Sequence, residues 1–227
     1  MFLYIAIFIA LLVLYYYTKK DRQLIYLRYV MVFLALFVGV SDMLGGYDRY
    51  IYGELFDELA SIRRGNGYVM LSQIFTTYST EWAYNALNYF ISLFTANRYF
   101  FILAVTCIIY ILLYQSFKRY TSDYLLAVIL FMGLWFFFSF TYLRQVLAAV
   151  VGWMSIKYVL ERKPWRFIAI VMIAYGFHNS AIMLLPLYFI PLSSLNKNNV
   201  VWILLFATIL GFTNLAGDFV ETYMSLS

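Results

Sequence analysis

Charged and reactive side chains are scarce in this sequence. Only 12% of its 227 residues are charged, and it contains one cysteine, one histidine and three prolines. The lone Cys107 excludes an intrachain disulfide, and the lone His178 excludes a His-rich metal site. The sequence has no glycine-rich nucleotide motif, no Gly-x-Ser-x-Gly motif and no acidic pair resembling that of nucleotide-sugar transferases. We therefore expect neither a resident metal nor a cofactor.

Hydrophobic residues are abundant, at 65% of the chain, and the mean hydropathy of +0.81 excludes an ordinary soluble protein. A bilayer span needs about 20 mostly apolar residues, and such runs recur from end to end. The sequence predicts an all-α, polytopic transmembrane bundle of about seven spans that forms a single domain, 1–227. The predicted spans are 2–17, 24–41, 99–117, 124–142, 145–160, 166–190 and 200–217.

The net charge of +5 comes from basic residues that cluster at span ends, which argues against a nucleic-acid partner. Three turns, 18–28, 118–123 and 157–166, carry most of them and are predicted to lie inside. The N-terminal run lacks a basic leader and a cleavage site, so we expect a retained span with its N-terminus outside. The segment 42–98 then forms an extracytoplasmic loop.

Within this loop, the residues 54–62 have helical periodicity. Leu55, Leu59 and Ile62 recur on one side, with acidic residues opposite, which predicts an amphipathic helix on the outer interface. Asn66-Gly67 predicts a turn after it. The apolar segment 83–97 is placed at the outer surface because that keeps the charge alternation consistent.

His178 is an ionisable residue inside a 25-residue apolar run. Small residues at 174 and 181 share its predicted helical face, so that face should look into the bundle, and Asn179 and Ser180 add polar groups. One interpretation is a histidine that acts as acid, base or substrate ligand in a central cavity. The alternative is a histidine that forms a stabilising hydrogen bond between helices.

Arg144 and Gln145 lie between two apolar runs. Ala148 and Gly152 follow Arg144 at spacings of four, so close helix packing should turn Arg144 towards protein. A planar guanidinium suits bidentate binding of phosphate. The alternative, an arginine that reaches the outer headgroups, stays open.

The segment GGYDRYIY supplies a third polar group. Its carboxylate, Asp48, and its aromatic rings, Tyr47 and Tyr50, are suited to a sugar site, whereas an aromatic belt at the membrane surface explains the same tyrosines. Arg49 follows Asp48 directly. Glu81 and the pair Arg63-Arg64 are weaker candidates, because a charged exterior loop accounts for them.

Three motifs together resemble the EpsG family of Wzy-like polymerases of bacterial capsule, exopolysaccharide and O-antigen. The matching residues are Gly45, Gly46, Asp48, Tyr50 and Tyr52; Leu143, Arg144, Gln145, Leu147 and Ala148; and Phe177, His178, Ser180 and Ala181. Glu81, ahead of an aromatic-rich segment, is also similar. Family members are usually longer than this chain, which fits a truncated member, and many have arginine where it has Asp42.

The resemblance implies a metal-independent glycosyltransferase of the bacterial cytoplasmic membrane. Such a protein joins polyprenyl-diphosphate-linked oligosaccharide units at the outer face, among membrane lipids and other polysaccharide-assembly proteins. By this resemblance, Arg144 neutralises the diphosphate, and His178 or Asp48 accepts a hydroxyl proton. Gln145, Arg49, Glu81, Arg63, Arg64, Tyr47, Tyr50, Asn179 and Ser180 would bind substrate.

Two other classes of function stay open at this point. A transporter or flippase would also need a polar cavity and an intramembrane histidine or arginine, although its internal repeats are not evident here. In a non-catalytic membrane subunit or fragment, the same polar residues would hold helices together.

Overall fold

The structure is a computed structural model that describes residues 2–41, 46–66 and 81–189, together with a few positions from 198 to 208. The chain divides into two compact units, Met1–Tyr188 and Phe189–Ser227. The described positions from 198 to 208 are helical. Most of the predicted last span, 200–217, lies outside the described residues.

The described part of the first unit is built from helices, and it contains no strand. This agrees with the predicted all-α class. The α-helices are α1 (Phe2–Tyr17), α2 (Gln23–Val40), α3 (Tyr47–Asn66), α4 (Trp82–Ser92), α5 (Arg98–Tyr120), α6 (Tyr124–Leu134), α7 (Phe136–Thr141), α8 (Leu143–Trp153), α9 (Ile156–Leu160) and α10 (Pro164–Phe177), and 3₁₀ helices cover Lys20–Arg22 and Asn179–Phe189.

Three described helical stretches are long and apolar enough to cross a membrane. They are Lys20–Val40, Arg98–Tyr120 and Leu143–Leu160. α1, α6, α10 and the 3₁₀ helix Asn179–Phe189 are apolar but shorter. α1 has 16 residues, about 24 Å of helix against a hydrocarbon core of about 30 Å. The apolar helices therefore fit a membrane protein, while the lengths leave the predicted count of seven spans unconfirmed.

α5 is the central helix of the bundle, and it packs against α2, α3 and α8. Its residues Phe101, Ile109 and Leu113 are fully buried. The ring of Phe101 stacks on Phe56 of α3 at a centroid distance of 4.4 Å. This packing holds α3 against the bundle, beside the ends of the longer helices.

The three predicted basic turns lie at one common end of the first unit. The backbone N–H of Tyr124 donates to Gln23 Oε1 at 3.0 Å, which links the α5–α6 turn to the start of α2. The backbone N–H of Lys157 donates to the Tyr120 hydroxyl at 3.1 Å, which brings α9 to the same turn. The ends of α2 and α10 and the beginnings of α5 and α8 therefore lie at the opposite end.

The predicted span 124–142 consists of two helices, α6 and α7. Trp135 separates α6 from α7 with non-helical dihedral angles, and Tyr142 separates α7 from α8 in the same way. The aromatic run Trp135–Phe138 lies at the first break. Bulky aromatic side chains lose rotamer freedom against the preceding turn of a helix, which weakens helix formation there. The second break places Arg144 in the first turn of α8.

The helix predicted in the loop 42–98 is present as α3, and its buried face includes Leu59 of the predicted apolar stripe together with Tyr52, Phe56 and Ala60. Leu55 is 36% exposed and Ile62 is half-buried. α3 packs on α4 and α5. Gly67, the predicted turn residue, lies outside the described residues.

Candidate functional site

Three polar side chains that are distant in sequence meet at the end of the bundle opposite the basic turns. Glu81 directly precedes α4, Arg144 is in the first turn of α8, and His178 follows the last residue of α10. α10 packs against both α4 and α8, and this contact brings the three segments together. The result is a carboxylate, a guanidinium and an imidazole within one cluster.

Glu81 and Arg144 form a short ion pair. Arg144 Nη1 donates to Glu81 Oε2 at 2.6 Å, and the Glu81 side chain is only 7% exposed while that of Arg144 is 30% exposed. Burial strengthens such a charge-assisted bond and makes either partner costly to leave alone. The small residues Ala148 and Gly152 are buried on the same helix, so Arg144 faces protein, as their spacing predicts.

Two tyrosine rings flank the guanidinium of Arg144. Its Cζ lies 5.2 Å from the ring centroid of Tyr52 and 5.8 Å from that of Tyr84, distances at which a cation is attracted to an aromatic face. Burial raises the pKa of the Tyr52 hydroxyl above its ordinary value, while the Arg144 guanidinium partly opposes this shift. The Tyr52 hydroxyl is therefore protonated at neutral pH. The attraction of the two rings to the guanidinium helps to hold Arg144 beside Glu81.

His178 lies at the end of α10 rather than inside a continuous helix, within the predicted span 166–190. Its backbone is extended, with φ −160° and ψ 133°, and a 3₁₀ helix follows. Asn and Ser side chains compete for backbone hydrogen bonds, which favours such a break at Asn179-Ser180. His178 Nε2 lies 3.8 Å from Glu81 Oε1, too far for a direct hydrogen bond.

A glycine on α10 allows the histidine to approach the carboxylate. A Cβ atom at Gly176 would lie 2.5 Å from Cε2 of Trp82, so a side chain at this position would displace the indole. Trp82 is the residue after Glu81, and Gly176 is two residues before His178. The backbone of α10 therefore packs on α4 at the same level as the polar cluster.

Two predicted site residues lie in other contacts. Arg49 is 3% exposed and its Nη2 donates to the carbonyl oxygens of Val38 and Gly39, at 2.6 and 3.2 Å, so it caps the end of α2. The ring of Tyr50 lies 5.6 Å from Cζ of Arg98. The hydrogen bond to Glu54 raises the pKa of Tyr50.

The remaining predicted site residues lie on α3, in the first turn of α8 and in the loop after α10. Asp48 is half-buried on α3, Tyr47 is 77% exposed, and Gln145 and Asn179 are exposed. Arg63 and Arg64 lie in the last turn of α3. Ser180 contacts the His178 ring. Gly45 lies outside the described residues, and Gly46 has a positive φ of 79°.

Sequence reasoning missed three aromatic residues of the site. Tyr84 and Trp82 belong to the predicted extracytoplasmic loop, 42–98, and Tyr52 enters the sequence analysis only as part of a motif. Tyr52 and Phe56 recur at a spacing of four on α3, and this spacing was the available signal. Among 45 Tyr and Phe residues in the chain, composition could not distinguish these rings from the others.

The fold and the cluster define a class: a helical membrane protein with a buried carboxylate–guanidinium–imidazole site at one end of the bundle. The model of the EpsG family matches residues 27–227, and this chain belongs to that family. EpsG family members are Wzy-like polysaccharide polymerases. Neither the curated proteins nor the solved structures gave a match to this chain.

Proposed function

We propose that this protein joins polyprenyl-diphosphate-linked oligosaccharide units into a surface polysaccharide, at the outer face of the bacterial cytoplasmic membrane. The observation that carries the proposal is the convergence of Glu81, Arg144 and His178 in a member of a polymerase family. Buried ionisable groups in a membrane protein are costly and usually functional. The supporting geometry is the 3.8 Å separation of Glu81 Oε1 and His178 Nε2.

That separation suits one acceptor hydroxyl. An oxygen atom placed beside the gap lies at about 2.8 Å from both Glu81 Oε1 and His178 Nε2. The acceptor oxygen forms a bond to the anomeric carbon of the donor sugar, and the bond from that carbon to the diphosphate breaks. The hydroxyl proton passes to the Glu81 carboxylate, and the electron pair leaves on the diphosphate.

In this scheme, Arg144 has two tasks. One nitrogen orients Glu81, and the exposed part of the guanidinium stabilises the developing charge on the leaving diphosphate. Arg144 Nε is buried without a hydrogen-bond partner among the described residues, so the group retains donor capacity. This assignment makes Glu81, rather than His178 or Asp48, the proton acceptor.

The proposed position of the site at the outer face is supported by the distribution of basic residues. The three basic turns share one end of the bundle through the contacts of Tyr124 and Lys157, and basic turns lie on the cytoplasmic side of a membrane. The polar cluster is at the opposite end. This supports an outer-face site and an N-terminus outside.

The test is polymer length, resolved on a gel, in cells whose own copy is replaced by the wild type or by Glu81→Gln. The substitution preserves shape and removes the proton acceptor. We expect long chains from the wild type and single units from the variant at equal protein levels. Asp57→Asn is the matched control, because Asp57 pairs with Arg98 outside the cluster and should leave chain length unchanged.

Normal polymer from Glu81→Gln would show that this carboxylate does not carry the reaction. A second assay, with purified protein and lipid-linked units in vesicles, distinguishes the other class of function. Units that cross the bilayer without elongation would identify a transporter in place of a polymerase.

A further inference from the structure

A short loop holds the imidazole of His178 from the side away from Glu81. The backbone N–H of Ser180 donates to His178 Nδ1 at 3.1 Å, and Ser180 Oγ lies 2.8 Å from the same nitrogen. Both contacts come from one residue, two positions along the chain. The loop exists because α10 ends at Phe177 and the 3₁₀ helix begins at Asn179.

These contacts determine which ring nitrogen carries the proton. A backbone N–H is always a donor, so Nδ1 must present its lone pair to Ser180. A neutral imidazole with an acceptor at Nδ1 carries its proton on Nε2. Nε2 is the nitrogen that lies 3.8 Å from Glu81 Oε1.

We propose that Ser180 is a positioning residue that fixes the His178 ring with Nδ1 as acceptor and Nε2–H turned towards Glu81. The hydroxyl of Ser180 supplies a second donor to Nδ1, which further favours this tautomer. If the proposed function holds, His178 donates a hydrogen bond to the acceptor hydroxyl and does not remove its proton. Glu81 is then the group that takes the proton, as the polymerisation scheme requires.

The chain offers a direct test, because His178 is its only histidine. Protein labelled with ¹⁵N-histidine in detergent micelles gives the NMR signals of one imidazole, so no assignment is needed. We expect a non-protonated, hydrogen-bonded Nδ1 and a protonated Nε2 in the wild type. Ser180→Ala keeps the backbone N–H and loses the hydroxyl, so the Nδ1 signal should move towards that of a ring with a weaker hydrogen bond.

Ser180→Thr is the matched variant, because it retains the hydroxyl at an exposed position and should restore the wild-type signals. A protonated Nδ1 in the wild type would overturn the proposal. Identical spectra for the wild type and Ser180→Ala would overturn it as well. A variant that does not fold is recognised by loss of helical circular dichroism, and in that case the wild type and Ser180→Thr still decide which nitrogen is protonated.

The elongation assay then tests the catalytic consequence separately. Loss of one hydrogen bond should lower kcat by about two- to tenfold in Ser180→Ala, with KM unchanged and kcat restored in Ser180→Thr. If the NMR result holds while even the wild type fails to elongate, the proposed polymerase function is wrong and the positioning of His178 stands. If the wild type elongates and Nδ1 is protonated, the role of Ser180 is wrong alone.

Discussion

Glu81 and Arg144 form an ion pair, so the loss of stability from substituting one of them should depend strongly on whether the other is present. Removing one partner of a buried pair costs about 3–5 kcal/mol, because the other charge is left unpaired. The side chains are 7% and 30% exposed, so solvent screens the arginine partly and the lower value, about 3 kcal/mol, applies to each single substitution. We expect Glu81→Leu and Arg144→Met each to destabilise by about that amount.

The double variant should lose less stability than the sum of the two single losses, because it contains no unpaired charge. We expect a coupling energy of about 2 kcal/mol, measured by reversible unfolding in mixed detergent micelles. Asp57 and Arg98 provide the control: their side chains are 37% and 29% exposed, and their coupling should be below about 1 kcal/mol. Additivity within about 0.5 kcal/mol at Glu81 and Arg144 would refute the reasoning.

Two further predictions concern packing at other places in the bundle. Gly176→Ala should lower the melting temperature, because the new methyl group meets the Trp82 ring and overpacking costs about 1–3 kcal/mol. Gly133→Ala is the control: there is open space around a Cβ at this position, so this variant should be neutral or stabilising. Equal melting temperatures for the two alanine variants would contradict this. Gln23→Leu should cost about 1–2 kcal/mol by chemical unfolding, because the half-buried Tyr124 loses the acceptor of its N–H, and an unchanged stability would show that water replaces it.

The sequence predicts the ends of a helix well where an apolar run ends at charged residues. α1 and α2 begin and end within a residue or two of their predicted limits, because Lys19 and Lys20 interrupt the apolar pattern. α5 begins one residue before its predicted limit, 99–117, and ends three residues after it, with Lys118 and Arg119 in its last turn. Hydropathy carries this information because the cost of placing a charge in hydrocarbon depends on the residue and its depth, with little influence from its neighbours.

The interruptions inside apolar runs could not be predicted in the same way. Trp135 marks a helix end although the residues on either side of it are uniformly apolar, whereas the helix end at His178 has a local signal in Asn179 and Ser180. A local break forms when contacts with other helices compensate for the lost backbone hydrogen bonds. Those contacts involve residues distant in sequence.

Composition and charge by themselves determined that this protein is helical, apolar and basic at three turns, and the motifs around Arg144 and His178 indicated its family. Only the tertiary structure decided that Glu81 joins those two residues, that Arg49 instead caps α2, and which nitrogen of His178 faces the carboxylate. The reason is physical: hydropathy is a property of single residues and their near neighbours, whereas an ion pair between positions 81 and 144 depends on how three helices pack.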